Sequence, residues 1–219
     1  MKERPILFSA PMVRGVLSGQ KSSVRRPVKF PLIDRDFGCE LAGNEIGQSE
    51  AHRLCPYGQP SDRLWIRKPF GEVYEYCDHP EMPGAPTEYW HIDWKYRADG
   101  ETPDIEDGVF TGWKPNIHMR RDACRILLEI IDVRAERLRD SEDLVLLGEL
   151  GELGDMLEDC DSTAGKEFSR IEHLQSAGAP LRMIPEMHGF KAWWDKTNGP
   201  GSFDANPWVW VVEFKRVTP

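Results

Sequence analysis

The residues best able to do chemistry stand close together near the start of the chain. Lys21, Ser22, Ser23, Arg25 and Arg26 combine three cations with two hydroxyl groups in one short stretch. Arginine offers an anion a planar fork of donors, and a desolvated lysine can act as a general base. The cluster predicts an anionic or hydrogen-bonding ligand, and a solvated basic turn is the alternative.

A strand and a short helix must position this cluster. The apolar run at residues 6–8 is bounded by prolines and predicts a buried strand. Pro11 suits a first helical turn, Ser9 before it is a candidate N-cap, and Gly19 predicts the helix end in the left-handed conformation. The apolar face of the predicted helix consists of Met12, Val13, Val16 and Leu17.

Three sequence motifs, in the same order over nearly the whole chain, resemble one known family. Gly19, Lys21 and Arg26 form a G-x-K-x-x-x-x-R pattern. Residues 55–67 read CPYGQPSDRLWIR, and residues 205–214 read ANPWVWVVEF. Together they resemble ASCH domains, a branch of the PUA-like superfamily associated with RNA and modified nucleosides, and in particular the longer ASCH proteins of phages and prophages. Two positions depart from the family pattern, with Ser61 in place of glycine and Lys68 in place of glutamate.

The resemblance implies an α+β fold, a PUA-like mixed β-barrel with surrounding helices and long loop insertions. It implies a single ASCH domain over residues 1–219, with insertions near residues 31–59, 71–112 and 148–185. It also implies phage or prophage origin, and hence the cytoplasm of the host. An apolar run of transmembrane length and a signal-peptide core are both missing from the sequence, which likewise favours a cytoplasmic protein and predicts no membrane partner.

Some small ASCH proteins are amidohydrolases that act on N4-acylated cytidine, and the resemblance extends to their lysine at Lys21. Their threonine corresponds to Val24, which has no nucleophilic atom, so Ser22 and Ser23 are the nearby hydroxyl candidates. The nearest candidate for the family's glutamate is Glu149. A hydrolase acting on a modified nucleoside or on RNA, whether amidohydrolase or ribonuclease-like, is therefore an alternative function.

The leading hypothesis from the sequence is a binding module for nucleic acid or a modified nucleoside. Residues 113–121 (WKPNIHMRR) resemble a turn of the family and add further donors. The predicted ligand-binding residues are Lys21, Arg25, Arg26, Arg67, His118 and Arg120. The tryptophans and tyrosine that alternate along residues 89–96 predict a half-buried strand, whose aromatic face is either core or a stacking surface for bases.

Charge and cysteine content limit the other possibilities. The net charge of −9 disfavours non-specific binding to a polyanion, although cations are concentrated in the first 29 residues. Acids predominate over residues 136–172, so a phage protein-interaction factor that binds a basic host protein is a second alternative. Five widely spaced cysteines predict neither a disulfide framework nor a metal site, and the sequence indicates no cofactor. The oligomeric state is left open.

The remaining sequence divides into a loop, strands and helices. Residues 31–59 lack periodicity and predict a long loop that serves as a lid, a pocket wall or a surface insertion. Strands are predicted at residues 62–70, 125–138 and 208–214, the last apolar on both faces and therefore central in its sheet. Helices are predicted at residues 141–158, 166–177 and 187–194.

Overall fold

The computed structural model describes residues 1–34, 36–77, 88–100, 108–140, 157 and 161–217. Four helices and ten strands lie within these ranges, so the predicted α+β class is confirmed. The helices are α1 (Ala10–Leu17), α2 (Gln48–Leu54), α3 (Thr163–Ser176) and α4 (Pro185–Asn198). The strands are β1 (Glu3–Leu7), β2 (Ser23–Pro27), β3 (Leu32–Ile33), β4 (Glu40–Leu41), β5 (Arg63–Arg67), β6 (Phe70–Cys77), β7 (Glu88–Tyr96), β8 (Val109–Phe110), β9 (Leu127–Arg137) and β10 (Trp208–Val217).

The main sheet has five strands in the order β1-β5-β9-β10-β2. β1 and β5 are parallel, and the other neighbouring pairs are antiparallel. β10 lies between β9 and β2, as its two apolar faces predict. None of the described sheets closes into a barrel, because β1 and β2 are the two edges of the main sheet and do not pair with each other.

The two faces of β10 belong to different apolar cores. Trp210 and Val212 join the larger core, which α1 covers through Val13 and Val16. Val209 and Val211 join a second core with Phe190 of α4. The alternation of side chains along an extended strand produces this division. α4 is thereby fixed against one face of the sheet and α1 against the other.

The start of the chain folds much as its sequence predicts. Ser9 is the N-cap residue of α1, Pro11 lies in its first turn, and the side chains of Met12, Val13 and Val16 are buried. Gly19 follows the helix with φ of 78°, in the left-handed region that glycine favours. Ser61, where the family pattern has glycine, also adopts a positive φ, of 72°. The turn at Ser61 thus requires a left-handed backbone conformation, which glycine adopts more readily than serine.

Two predicted elements differ from the structure. Residues 31–59 contain the β3–β4 hairpin and α2, in addition to loop, because Ala51 and Leu54 supply enough apolar surface to dock α2 on the larger core. α4 continues to Asn198, four residues beyond the predicted end at Trp194. Most of the acidic helix predicted at residues 141–158 lies outside the described residues. α3 fits its prediction closely.

The aromatic strand β7 pairs with β6 in a separate three-stranded sheet. Trp94 and Tyr96 are half-buried and pack against a third apolar core around Phe70. Trp90 and Ile92, further from that core, are 47% and 51% exposed. Of the two alternatives, the core holds for Trp94 and Tyr96, whereas the described part of the chain supplies no covering layer for the outer half of the strand.

Candidate binding site

A pocket of about 370 Å³ opens where the second half of β2 meets α4 and the residues leading into α1. We call it the Arg25 pocket. The polar and aromatic residues that line it are Ser9, Arg25, Arg26, Trp193, Trp194, Thr197 and Asn198. Its volume lies within the range of about 300–1,000 Å³ that small-molecule sites occupy.

Arg25 is placed in this pocket by its position in β2. It pairs with Val211 of β10, so its side chain lies on the face of the sheet that packs against α4. The side chain is 0% exposed, and its Nη2 lies 3.5 Å from Oε1 of Glu136. Glu136 also accepts from Nε of Arg134 at 3.2 Å. This carboxylate holds the guanidinium in a buried position, where isolated charges are costly.

Arg26 connects the two edge strands of the main sheet. Its Nη2 donates to the carbonyl of Leu7 at the end of β1, at 2.7 Å. Its guanidinium also donates to the hydroxyl of Tyr57 and acts against the rise in the pKa of that group, which burial causes. The gap that keeps the sheet from closing is thus bridged by one side chain.

Two polar atoms in the lining of the Arg25 pocket have no hydrogen-bond partner in the described part of the chain. One is the buried Oγ of Ser9, which lies at the start of α1 but makes no capping bond to the helix. The other is Nε1 of Trp194, a residue only 1% exposed. Buried polar groups are nearly always satisfied, so two such atoms at one pocket indicate a place where a ligand or ordered water completes the bonding.

The combination is rich in donors. An arginine guanidinium and an indole N–H only donate, and a serine hydroxyl can donate or accept. The described lining residues include no carboxylate and no histidine that could activate Ser9 as a nucleophile. The pocket therefore suits a ligand with several acceptor oxygens, and it is equipped for binding more than for hydrolysis.

A second pocket, of about 380 Å³, lies next to the first, and we call it the Tyr57 pocket. Its lining consists of Pro27, Lys29, Leu32, Leu54, Pro56, Tyr57 and Trp210. Pro27 lines both pockets. Leu32 and Leu54 belong to the segment of residues 31–59, which therefore serves in part as a pocket wall, one of the alternatives that the sequence left open.

The structure brings only some of the predicted ligand-binding residues together. Arg25 and Arg26 share the Arg25 pocket. Arg67 pairs with Leu7 in the sheet and donates to the carbonyl of Ile117, so it lies near the same end of β1. His118 is exposed in the short turn that contains Ile117. Strand β5, which carries Arg67, and the short turn that contains Ile117 therefore both lie near the end of β1. Arg67 and His118 are nevertheless not among the residues that line the pocket.

Lys21 and Arg120 lie elsewhere. Lys21 precedes β2 by two residues, is 5% exposed, and its backbone N–H donates to the carbonyl of Gly15 at 3.0 Å. It does not line either pocket described above. Arg120 is well exposed and pairs with Asp122 at 2.7 Å.

The structure also describes the candidate catalytic hydroxyls of Ser22 and Ser23 and the residue at the position of the family's threonine. Ser22 is exposed, and Ser23 begins β2 opposite Glu213. Val24, at the position of the family's threonine, is 1% exposed in the larger core. Glu149 lies outside the described residues.

The sequence did not identify Ser9 and Trp194 as site residues. The sequence predicts Ser9 as a helix cap and Trp194 as part of a short helix. A hydroxyl directly before a proline-started helix carries no signal that its capping bond will be missing. The two residues line one pocket because α4 packs beside β2, and no local sequence pattern predicts that packing.

Lys68 is another buried cation, at a different place from Lys21 and Arg25. Its side chain is 0% exposed, its Nζ has no hydrogen-bond partner among the described residues, and it lies 3.8 Å from the ring centroid of Tyr96. Burial, with a smaller contribution from Arg125, lowers the pKa of Lys68 to about 7. Arg125 lies over the same ring at 4.3 Å and is bonded to Asp99.

Within the described ranges, no three acidic, histidine or cysteine side chains are grouped so that they could hold a metal ion. Cys77 and His79 stand close together in the sequence and could suggest metal ligands, but the side chain of Cys77 and the whole of His79 lie outside the described residues. No described helix is both long enough and apolar enough to cross a membrane. Comparison of the chain with protein-family models, curated proteins and solved structures finds no match.

Proposed function

We propose that this protein binds a nucleotide, a modified nucleoside or the end of a nucleic acid in the Arg25 pocket. The observation that carries the proposal is the convergence of a buried arginine with two unsatisfied polar atoms, Ser9 Oγ and Trp194 Nε1, at one pocket of suitable size. Base carbonyls and phosphate groups supply the acceptor oxygens that these donors require. Trp193, half-buried at the wall, adds an aromatic surface for a planar ring.

The charge distribution supports the same ligand class. A protein with a net charge of −9 does not attract polyanions over its whole surface. Arg25 and Arg26 concentrate positive charge at one pocket, with Lys29 beside it in the next. Binding at such a site is expected to weaken as salt concentration rises, because phosphate contacts release counterions.

The resemblance to ASCH domains supports the proposal independently of the pocket, since that family is associated with RNA and modified nucleosides. We further propose that the main sheet is a PUA-like barrel in variant form. In this interpretation, Arg26 and its bond to the Leu7 carbonyl bridge the gap between β1 and β2, where a ladder would close a complete barrel.

The test is calorimetric titration with the four nucleoside monophosphates, the corresponding nucleosides, N4-acetylcytidine and inorganic phosphate. The wild type is compared with Ser9→Ala, which removes an unsatisfied hydroxyl and no helix cap. The matched control is Ser49→Ala, a solvent-facing serine bonded to Glu50. We expect Ser9→Ala to bind about fivefold more weakly while keeping its stability, since a hydrogen bond to a ligand typically contributes about 1 kcal/mol.

Saturable binding of a nucleotide or nucleoside, with Ser49→Ala unchanged, supports the proposal. Inorganic phosphate binding as tightly as any nucleotide would reduce the pocket to an anion site and overturn the nucleoside part. Equal affinities of Ser9→Ala and the wild type would remove the Arg25 pocket as the binding site.

A further inference from the structure

The two pockets are neighbours on either side of one contact. Arg26 lines the Arg25 pocket, Tyr57 lines the Tyr57 pocket, and the guanidinium donates to the phenol between them. Pro27 lines both pockets. The volumes, about 370 and 380 Å³, are nearly equal. The surface therefore presents two compartments of similar size, with a cation at their junction.

The second compartment repeats the chemistry of the first. Half-buried Tyr57 supplies aromatic surface there, as half-buried Trp193 does in the Arg25 pocket. Lys29 is exposed at the second pocket and supplies a cation. Its described lining contains no acidic residue that would oppose a phosphate. Aromatic surfaces alternating with cations are the usual means of holding single-stranded nucleic acid.

Resting on the proposed function, we propose that the ligand is a single-stranded oligonucleotide that places adjacent nucleotides in the two pockets. One base enters the Arg25 pocket and its neighbour the Tyr57 pocket, and the phosphate that links them lies against Arg26. Arg26 bonds to the carbonyls of Leu7 and Arg25 and to Tyr57, and its planar, permanently charged guanidinium is the group that attracts the linking phosphate. Lys29 then contacts the phosphate that follows.

The pairing of pockets predicts a dependence on ligand length. A mononucleotide occupies one compartment, whereas a dinucleotide with a 3′-terminal phosphate occupies both and reaches Lys29. Joining the second binding event to the first makes it intramolecular, so affinity rises without a new site. We expect at least a tenfold gain in affinity from mononucleotide to dinucleotide, and little further gain beyond three nucleotides.

The experiment measures the dissociation constants of mono-, di- and tetranucleotides for the wild type, Lys29→Ala and Lys166→Ala. Lys166 is exposed on α3, away from both pockets, so its removal changes the net charge equally and serves as the matched control. Lys29→Ala should lose at least fivefold in affinity for the dinucleotide and leave the mononucleotide unchanged. Lys166→Ala should leave both unchanged. Ribo- and deoxyribonucleotides are measured in parallel, since both share the recognised chemistry.

The outcomes separate this inference from the function on which it rests. A mononucleotide that binds as tightly as the dinucleotide overturns the two-pocket inference and leaves the proposed function intact. Equal losses for mono- and dinucleotides in Lys29→Ala also overturn it. If no nucleotide of any length binds, the proposed function itself fails. A length-dependent gain that Lys29→Ala abolishes establishes the second compartment.

Discussion

Arg25 and Lys68 are two cations with completely buried side chains in very different surroundings. Arg25 faces a carboxylate, Glu136, and lines a pocket with two unsatisfied polar atoms. Lys68 faces the ring of Tyr96 and a second cation, Arg125, and it lines neither of the two described pockets. The surroundings of Arg25 stabilise its positive charge beside a cavity. The surroundings of Lys68 favour the loss of its proton.

The groups that surround a buried cation determine what it can do. Burial alone disfavours the charged form of any basic group. A carboxylate opposite the group offsets this cost and preserves a charged donor for a ligand. An aromatic ring offsets it only in part, and a neighbouring cation adds to it. The proposed binding role therefore rests on Arg25, whereas Lys68 packs inside the fold, and substitutions of the two residues test this contrast.

The largest effect is expected from Arg25→Met. The substitution removes the buried partner of Glu136, which keeps its bond to Arg134, so the free energy of unfolding should fall by about 2 kcal/mol. It also removes a charged donor from the pocket, so nucleotide affinity should fall about 100-fold. Urea denaturation followed by tryptophan fluorescence measures the first effect, and calorimetry on the folded fraction measures the second. A variant as stable and as tight-binding as the wild type would abolish the distinction between the two cations.

A smaller effect of opposite sign is expected from Lys68→Met. Methionine fills a similar volume without an amine to desolvate, although it forfeits the contact with Tyr96. The free energy of unfolding at pH 6 should rise by about 1–2 kcal/mol, in line with other replacements of buried charges by apolar side chains. Nucleotide affinity should not change. Destabilisation by this substitution would mean that the contact with the ring outweighs the burial of the amine.

The contrast between these two residues also marks what the sequence could predict. Strand β2, helix α1 and the central position of β10 follow from local periodicity, proline and glycine, because those signals act within a few residues. The charge of Arg25 predicts a ligand-binding residue, and the structure places it in the lining of a pocket. The sequence could not predict that Arg25, and not Lys21, lines a pocket, because that depends on the neighbours that α4 and β9 supply.

Lys68 illustrates the same limit from the other side. The family pattern has glutamate there, and the sequence alone left its role undetermined. Its burial results from packing against Tyr96 and Met119, residues that the chain brings together only when β7 and the turn after residue 115 have folded. Ser9 and Trp194 meet in the same non-local way. Chemistry that depends on such contacts has no signature in a short window of sequence.

The pH dependence of stability should reveal the lowered pKa of Lys68. The unfolded lysine keeps its proton up to its ordinary pKa of 10.5, and the folded one releases it at about 7. Between these values the unfolded state binds more protons, so this residue makes stability rise with pH, by at most about 1.4 kcal/mol per pH unit. Asp99, Cys124, Arg125 and Arg216 are the charged or titratable groups that influence it.

The useful window for this measurement is pH 7 to 9. Above it, the raised pKa values of Cys55, about 11, and Tyr96, about 12, act in the opposite direction, because the folded state then binds more protons than the unfolded state. Denaturation midpoints of the wild type and Lys68→Met at several pH values within the window isolate the lysine. Parallel curves for the two proteins would contradict a lowered pKa for Lys68.

The smallest effect is expected where a cation is paired but exposed. Arg170 on α3 bonds to Glu167 three residues earlier, through Nη2 at 2.7 Å and Nε at 2.9 Å. This contact is shorter than the 3.5 Å between Arg25 and Glu136, so distance alone would rank it higher. Solvent screens the pair, and holding two long side chains together costs entropy, so Arg170→Ala should leave the free energy of unfolding unchanged within the error of urea denaturation. A loss comparable with that of Arg25→Met would show that the short contact matters more than burial, and the distinction between the cations would then have to be drawn from geometry instead.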